Sequence, residues 1–346
     1  MATNQATDFS SDPTAAVAQE APEARRIEGL GPWQLAVRRL RGNRVALFFL
    51  GVFLLIVALS LAAPLYSKQV AKVSPTANNL TGQIVRNGKK VDVVSVEGKP
   101  IGPGLSRKYL LGADKNGRDV AVRLLYGGRN SLFVGFASAF VTAILAVALG
   151  LIAGFFRGWP DRVISGFFDI VWSFPVLLLA IALGTALAVG GLELGPLKID
   201  GGSLWIPVLV IGLVYVPYLG RPIRGQVLSL REKEFVEAAV SQGMSPTRVM
   251  FSEILPNVTS TILVFGTLII ANNIITEAAL SFLGAGIQSP APSWGNLIGD
   301  GVDFLATAPH LAIVPGIAIV LTVLSLNVFG DGLRDALDPR AKVRLR

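Results

Sequence analysis

The chain has 346 residues, 52% hydrophobic and only 16% charged, with a formal net charge of +8 and a mean hydropathy of +0.58. A water-soluble domain carries about a quarter charged residues. Here residues 45–67, 130–156, 201–220, 254–276, 278–299 and 304–330 hold no Asp, Glu, Lys or Arg, and 163–192 holds only Asp169, which excludes soluble, disordered and collagen-like chains; the lack of cysteine and the single histidine, His310, exclude disulfides, thiol catalysis and thiolate metal sites.

Residues 1–30, rich in Ala, Thr, Ser, Asp, Glu and Pro without an apolar period, read as a disordered tail. Residues 31–44 have the pattern of a basic amphipathic interfacial helix with Trp33 at the interface; a plain stop-transfer flank is the alternative. The first span is 45–67, too long and too basic in its flank for a signal peptide, hence a signal anchor. In the loop 68–129, Asn87-Gly88 between Gln83-Ile84-Val85 and Val91–Val96 predicts a β-hairpin. From Asp119 an amphipathic helix (Val120, Leu124, Leu125) leads into the second span, Ser131–Phe156.

The remaining spans are Val163–Val189, Leu204–Leu219, Val258–Leu283 and Leu311–Phe329. Each approaches the roughly 20 apolar residues that a bilayer core requires, the fourth being the shortest. Gly284, Gly286, Pro290, Pro292 and Gly295 mark most of the stretch after the fifth span as loop, and a tail, 331–346, follows the sixth. The expected fold is an all-α polytopic membrane protein with six transmembrane helices and a small extracytoplasmic β-hairpin.

Lys and Arg in short loops orient such a chain. With both ends on the cytoplasmic side, the termini and the 2–3 and 4–5 loops carry eighteen basic residues, while the short outer loops carry one, Lys198. Both termini are therefore expected inside, and most of the positive charge faces anionic lipid headgroups, so the high pI calls for no nucleic acid.

The 4–5 loop is the informative one. Ser229-Leu-Arg-Glu232 has the form of a capping box and predicts a helix start. Phe235, Val236, Ala239 and Val240 give that helix an apolar face, and Gly243 ends it. Ser245-Pro246 restarts a helix, which Pro256 is expected to stop. The small Ala238 and Ala239 suit close approach of another protein; the plainer alternative is a loop lying on headgroups.

Glu237-Ala238-Ala239-x-x-x-Gly243 followed by Ile254-Leu255-Pro256 resembles the EAA motif of ABC importer permeases. Leu111–Asp119, Arg123–Leu132, Gly154–Arg162, Asp169–Pro175, Glu277–Gly284, Pro292–Gly295 and Gly330–Pro339 are similar to stretches of the dipeptide/oligopeptide/nickel branch, specifically its second-permease type. Glu253 departs from many importers outside that branch, and the segment at about 82–103 looks like an insertion. The resemblance implies a type I importer permease (MetI-like) fold and a binding-protein-dependent inner-membrane component of a bacterial cell membrane. It implies that Glu237, Ala238, Ala239, Gly243, Ile254, Leu255 and Pro256 form the coupling helices (229–256) that dock on an ATPase. The implied partners are a second homologous permease, two ATPase subunits that hold ATP and Mg, and an extracytoplasmic substrate-binding protein, with di- or oligopeptides as the default substrate.

No Gly-x-x-x-x-Gly-Lys-Ser/Thr occurs, so the chain does not cradle ATP itself; it is expected to be no enzyme and to hold no cofactor or metal. Asp169, Asn272, Asn273 and Glu277 are polar groups within spans, candidates for helix pairing or for the pathway. The rival reading is a secondary transporter or channel that works without ATPases; no repeat relates 45–190 to 204–330.

Overall fold

A computed structural model describes residues 32–86 and 88–337. The tail expected at 1–30, Asn87 and the tail from 338 onward lie outside the described residues. Helix α1 (Pro32–Gly42) precedes α2 (Arg44–Leu61), where the Asn43 side chain caps the new helix by accepting from the Ala46 N–H at 3.0 Å. The chain then runs through α3 (Ala63–Leu65) and a π-helical turn (Tyr66–Ala71) into the segment 72–119.

Strands β1 (Gln83–Arg86) and β2 (Lys89–Asp92) pair antiparallel with Arg86 opposite Lys89, so the connection is two residues long and Gly88 takes φ +76°. Val93, Ile101, Tyr109 and Ala113 form a small core beneath this hairpin. Asp119 joins it to the bundle: Oδ2 accepts from the Tyr109 N–H at 2.6 Å, while Oδ1 caps α4 (Val120–Phe156) by accepting from the Val122 N–H at 3.1 Å. Residues 120–129, expected in the outer loop, are thus the first turns of one 37-residue helix.

Four described helices are long and apolar enough to cross a membrane: α2, α4, the continuous helix Pro246–Phe282, and α13 (His310–Leu337). Two bent helix pairs also have the length and composition for one crossing each, which brings the number to as many as six. The expected straight span Val163–Val189 is instead α5 (Gly158–Ser173) and α6 (Val176–Gly190), meeting at 91°. Pro175 brings no N–H, and it holds Phe174 in extended conformation (φ −96°, ψ 142°), so the helix cannot pass through. The pair α7 (Trp205–Val214) and α8 (Val216–Arg231) bends by 40° at Tyr215, and α8 runs twelve residues beyond the expected end at Leu219.

An unanticipated hairpin, β3 (Leu192–Leu194) with β4 (Leu197–Ile199), joins α6 to α7. The stretch after the fifth span is also not all loop. It contains α12 (Trp294–Val302), capped by a reciprocal Ser293–Asn296 box and seated by the buried Trp294.

Helix α4 is the hub, packed on α2, α5, α7, α8, α11 (Leu255–Phe282) and α12. It lies close to α8 because two glycines face that helix: a Cβ on Gly150 would sit 2.8 Å from Ile223 Cγ2, and one on Gly154 2.6 Å from Val227 Cβ. Such small-residue approaches are what lets helices pack tightly in lipid, where no hydrophobic force joins them.

Candidate functional site

The corner after α8 is built by backbone rules. The expected helix start at Ser229 is not observed. Ser229 lies inside α8, which ends at Arg231. The stripe Leu219, Ile223 and Val227 is packed against α4, and that tertiary contact overrides the local capping signal. Lys233, extended at φ −92° and ψ 145°, opens the short helix α9 (Glu234–Ser241) instead.

Gly243 ends α9 in the left-handed region at φ +82°. Its N–H donates to the Val240 carbonyl at 2.9 Å and the Met244 N–H to the Ala239 carbonyl at 3.2 Å, the paired bonds of a Schellman turn. Ser245 holds the cap position of α10 (Pro246–Arg248) without a side-chain cap bond. The chain then enters a π-helical turn (Val249–Ile254) and α11 (Leu255–Phe282) without a break. Pro256, the expected terminator, does not stop this helix. It falls in the first turn after the π turn, whose widened ring (Leu255 N–H to Met250 O) accommodates a residue lacking an N–H.

This corner sorts the motif residues into two groups. Ala239 and Ile254 are buried, packed with Val236, Val249, Met250 and Val258 onto Leu151, Phe168, Leu219 and Ile223 of the bundle. Glu237, Ala238, Gly243 and Pro256 are exposed, Leu255 half-buried, and beside them Phe235 and Val240 leave their apolar surface uncovered. A cleft of about 770 Å³ runs along α9 and is lined by Phe155, Arg157, Arg231, Val236, Glu237 and Met244. Arg157 pairs with Glu232 across it, and the Arg231 guanidinium donates to the Phe155 carbonyl while lying 5.7 Å from the Phe155 ring centroid. The arrangement presents a low, partly apolar knob whose helix carries two exposed carboxylates, Glu234 and Glu237, seated on the bundle. It suits protein docking, and it has no nucleophile–base pair.

The other sequence-predicted residues fall elsewhere. Asp169 Oδ1 lies 2.7 Å from Arg221 Nη2, and the Arg221 guanidinium stacks 4.7 Å over Trp172. Asn273 is fully buried, its amide 2.8 Å from Ser138 Oγ on α4. Asn272 is half-buried, and its carbonyl accepts from Thr276 Oγ1, which meets Tyr215 Oη at 2.9 Å. Glu277 is fully buried and accepts from the Ser281 hydroxyl at 2.6 Å; Ser281 Oγ in turn accepts from the Ile287 N–H at 2.9 Å. With Asn130 donating to the Pro292 carbonyl at 2.7 Å and the Trp294 N–H to Ser131 Oγ at 3.2 Å, this knot fastens the 284–294 stretch to α4 and α11.

A charge cluster on the hairpin side draws on the branch-like stretches 111–119 and 123–132, but its pairing with Asp300 carries no mark in the sequence. Arg118 lies 2.7 Å from Asp114 and 3.1 Å from Asp300, Lys115 lies 3.1 Å from Asp300, and Arg123 reaches Asp114 at 3.3 Å and Asp300 at 3.6 Å. Both arginines are buried. The neighbouring Asp119 carboxyl is pushed up from its ordinary value by burial, offset in part by the N–H groups of Tyr109, Val122 and Ala121. These pairs tie the 72–119 segment to α12 across as many as 182 residues of sequence, so no local pattern signals them. Among the described residues no group of three or more His, Cys, Asp or Glu side chains is placed to hold a metal ion.

Comparison with known proteins assigns this helical bundle to a class: it is a permease subunit. The chain belongs to the family of binding-protein-dependent transport system inner membrane components, whose model matches residues 146–343; a second model, the N-terminal TM domain of oligopeptide transport permease C, matches residues 31–82. The dipeptide transport system permease protein DppC of Alkalihalophilus pseudofirmus is 38% identical over 322 residues, 93% of this chain and 94% of that protein. The glutathione transport system permease protein GsiD of Pectobacterium atrosepticum is 40% identical over 239 residues, 69% of this chain and 75% of that protein. A structure of the MetNI methionine ABC transporter in an inward-facing conformation superposes with a TM-score of 0.51 at 16% identity, covering 62% of this chain and 96% of that one. That likeness concerns the fold, the MetI-like permease architecture expected above.

Proposed function

We propose that this membrane-embedded permease subunit imports di- or oligopeptides delivered by an extracytoplasmic binding protein. It forms half of a pathway completed by a second, homologous permease. Two ATPase subunits, holding ATP and Mg, dock at the α9–α10 corner. Both termini and that corner face the cytoplasm, in keeping with the eighteen-to-one distribution of basic residues.

The observation that carries the proposal is the split of the motif into buried and exposed faces. Glu237 and Ala238, with Phe235 and Val240, are free to enter a partner's groove, while Val236, Ala239 and Ile254 belong to the same core as α4 and α8. A push on the knob is therefore a push on the bundle, and rigid-body rocking between two packings follows without local unfolding. Peptides are supported as substrate by the dipeptide and glutathione permeases among the relatives.

The chain contains no cysteine, which makes a direct test simple. A single cysteine in place of Ala238 is expected to form a disulfide with a cysteine placed in the groove of the ATPase subunit, and ATP is expected to change the yield. A cross-link to lipid-facing or periplasmic components instead would reject the docking role.

A further inference from the structure

We infer that Asp169, Trp172 and Arg221 face the aqueous passage and hold the charged ends of a zwitterionic peptide on its way through. The inference rests on the importer function proposed above, and it gives that pathway a lining and a recognition chemistry.

The register of α4 and α8 sets the depth. Gly150 of α4 faces Gly220 and Ile223, so closely that a Cβ on Gly150 would lie 3.0 Å from the Gly220 carbonyl oxygen. Arg221 therefore lies level with Gly150, six residues before the end of α4 at Phe156, or about 9 Å inward along the helix axis. The end of α4 is marked as the membrane boundary by Arg157, Arg162, Arg231 and Glu232. Asp169, 2.7 Å from Arg221, shares this depth.

A charge at that depth is costly against hydrocarbon and is kept only where it meets water or protein. Yet the chain's own packing leaves the Asp169 side chain 74% exposed and that of Arg221 38% exposed. The surface they share is consequently not a lipid surface. It continues as an aromatic and hydroxylic track: Trp172 lies 6.4 Å from Tyr218, Tyr218 lies 6.2 Å from Tyr215 and 5.9 Å from Phe265, and Tyr215 Oη meets Thr276. The track runs along α5, α8 and α11 from the inner toward the outer half of the membrane. The α4 face that bears the exposed Phe136, Phe140 and Ile144, by contrast, holds only apolar side chains, as a lipid face does.

The chemistry fits one class of occupant. A peptide with free ends brings an ammonium and a carboxylate. Asp169 accepts from the first and the Arg221 guanidinium donates two parallel bonds to the second. Arg221 is held flat by Trp172, and the half-buried tyrosines offer polar edges and apolar faces to varied side chains. Between substrates the two charges neutralise each other, so neither is left without a counter-ion.

The test uses the reconstituted complex with its ATPase and binding-protein partners. Single cysteines replacing Asp169, Trp172 and, as a lipid-face control, Phe140 are challenged with a membrane-impermeant thiol reagent from the cytoplasmic side. Positions 169 and 172 are expected to react, more slowly when dipeptide is being transported, and position 140 to stay unmodified. Uptake by the Arg221→Gln variant is expected to show at least a tenfold higher KM for a free dipeptide and an unchanged KM for its C-terminally amidated form, whereas Arg221→Lys recovers part of the loss. If positions 169 and 172 are as inert as 140, or cross-link to the second permease, the inference is wrong while peptide import by the complex stands. If the intact complex takes up no peptide, both readings fall.

Discussion

Gly243 shows what a single backbone position decides. At φ +82° it closes α9 and releases the chain toward α10. A β-branched residue there meets a left-handed penalty of about 1–2 kcal/mol, while Asn tolerates the region. Gly243→Val is expected to lower uptake and ATPase association strongly, Gly243→Asn only mildly, with unchanged membrane insertion in both; equal activity of the two variants and the wild type would remove the turn from the mechanism. Two ion pairs behave differently for a similar reason of setting. The exposed Asp169–Arg221 pair contributes about 0–1 kcal/mol to stability, so Asp169→Asn leaves the melting temperature nearly unchanged. The side chain of Arg118 is 3% exposed and holds Asp114 and Asp300 together. Arg118→Ala removes its charged hydrogen bonds and leaves Asp114 to Arg123 and Asp300 to Lys115 and Arg123, a cost of about 1.5–3 kcal/mol that thermal unfolding in detergent reads directly.

Elements obey local sequence where nothing larger opposes it. The charge-free runs announce the crossings, Asn87-Gly88 the hairpin, and Gly243 the end of α9. Hydropathy averages over a window, however, and passes through Phe174-Pro175 without registering the 91° bend that the proline imposes. Ser229-Leu-Arg-Glu232 carries a valid capping signal that the packing of Val227 against α4 outweighs. Pro256 reads as a terminator, yet a π turn just before it lets the helix continue. Helix α12 has its Ser293-x-x-Asn296 signal in plain view, masked by the glycines and prolines around it. Close helix contact is the feature that most rewards testing at this scale. Gly154→Leu drives a side chain into Val227 and the Arg224 carbonyl, so it is expected to part α4 from α8 and abolish uptake. A Gly154→Ala chain should retain part of it, and full activity in the leucine variant would show that the two helices are not tightly joined.

Across the whole molecule, the proposed docking corner and the proposed pathway share one packed core, which holds Val236, Ala239 and Ile254 together with Tyr218 and Phe265. Of the candidate site, the exposed motif residues are legible in the sequence because spacing and loop position mark them. The burial of Ala239 and Ile254, the Asp169–Arg221 contact and the pairing of the charge cluster with Asp300 are not, because each joins residues far apart in the chain. In the proposed assembly α5, α8 and α11 form half of the pathway, and a second permease of the same family supplies the complement.

The most direct measurement is uptake of a labelled dipeptide and ATP hydrolysis, followed together in proteoliposomes containing the full complex with Glu237→Arg. The substitution replaces one exposed carboxylate of the knob with a guanidinium and touches nothing in the core. Uptake reduced at least tenfold, with hydrolysis no longer stimulated by loaded binding protein, is the predicted result. Uptake and stimulated hydrolysis at wild-type levels would contradict the account.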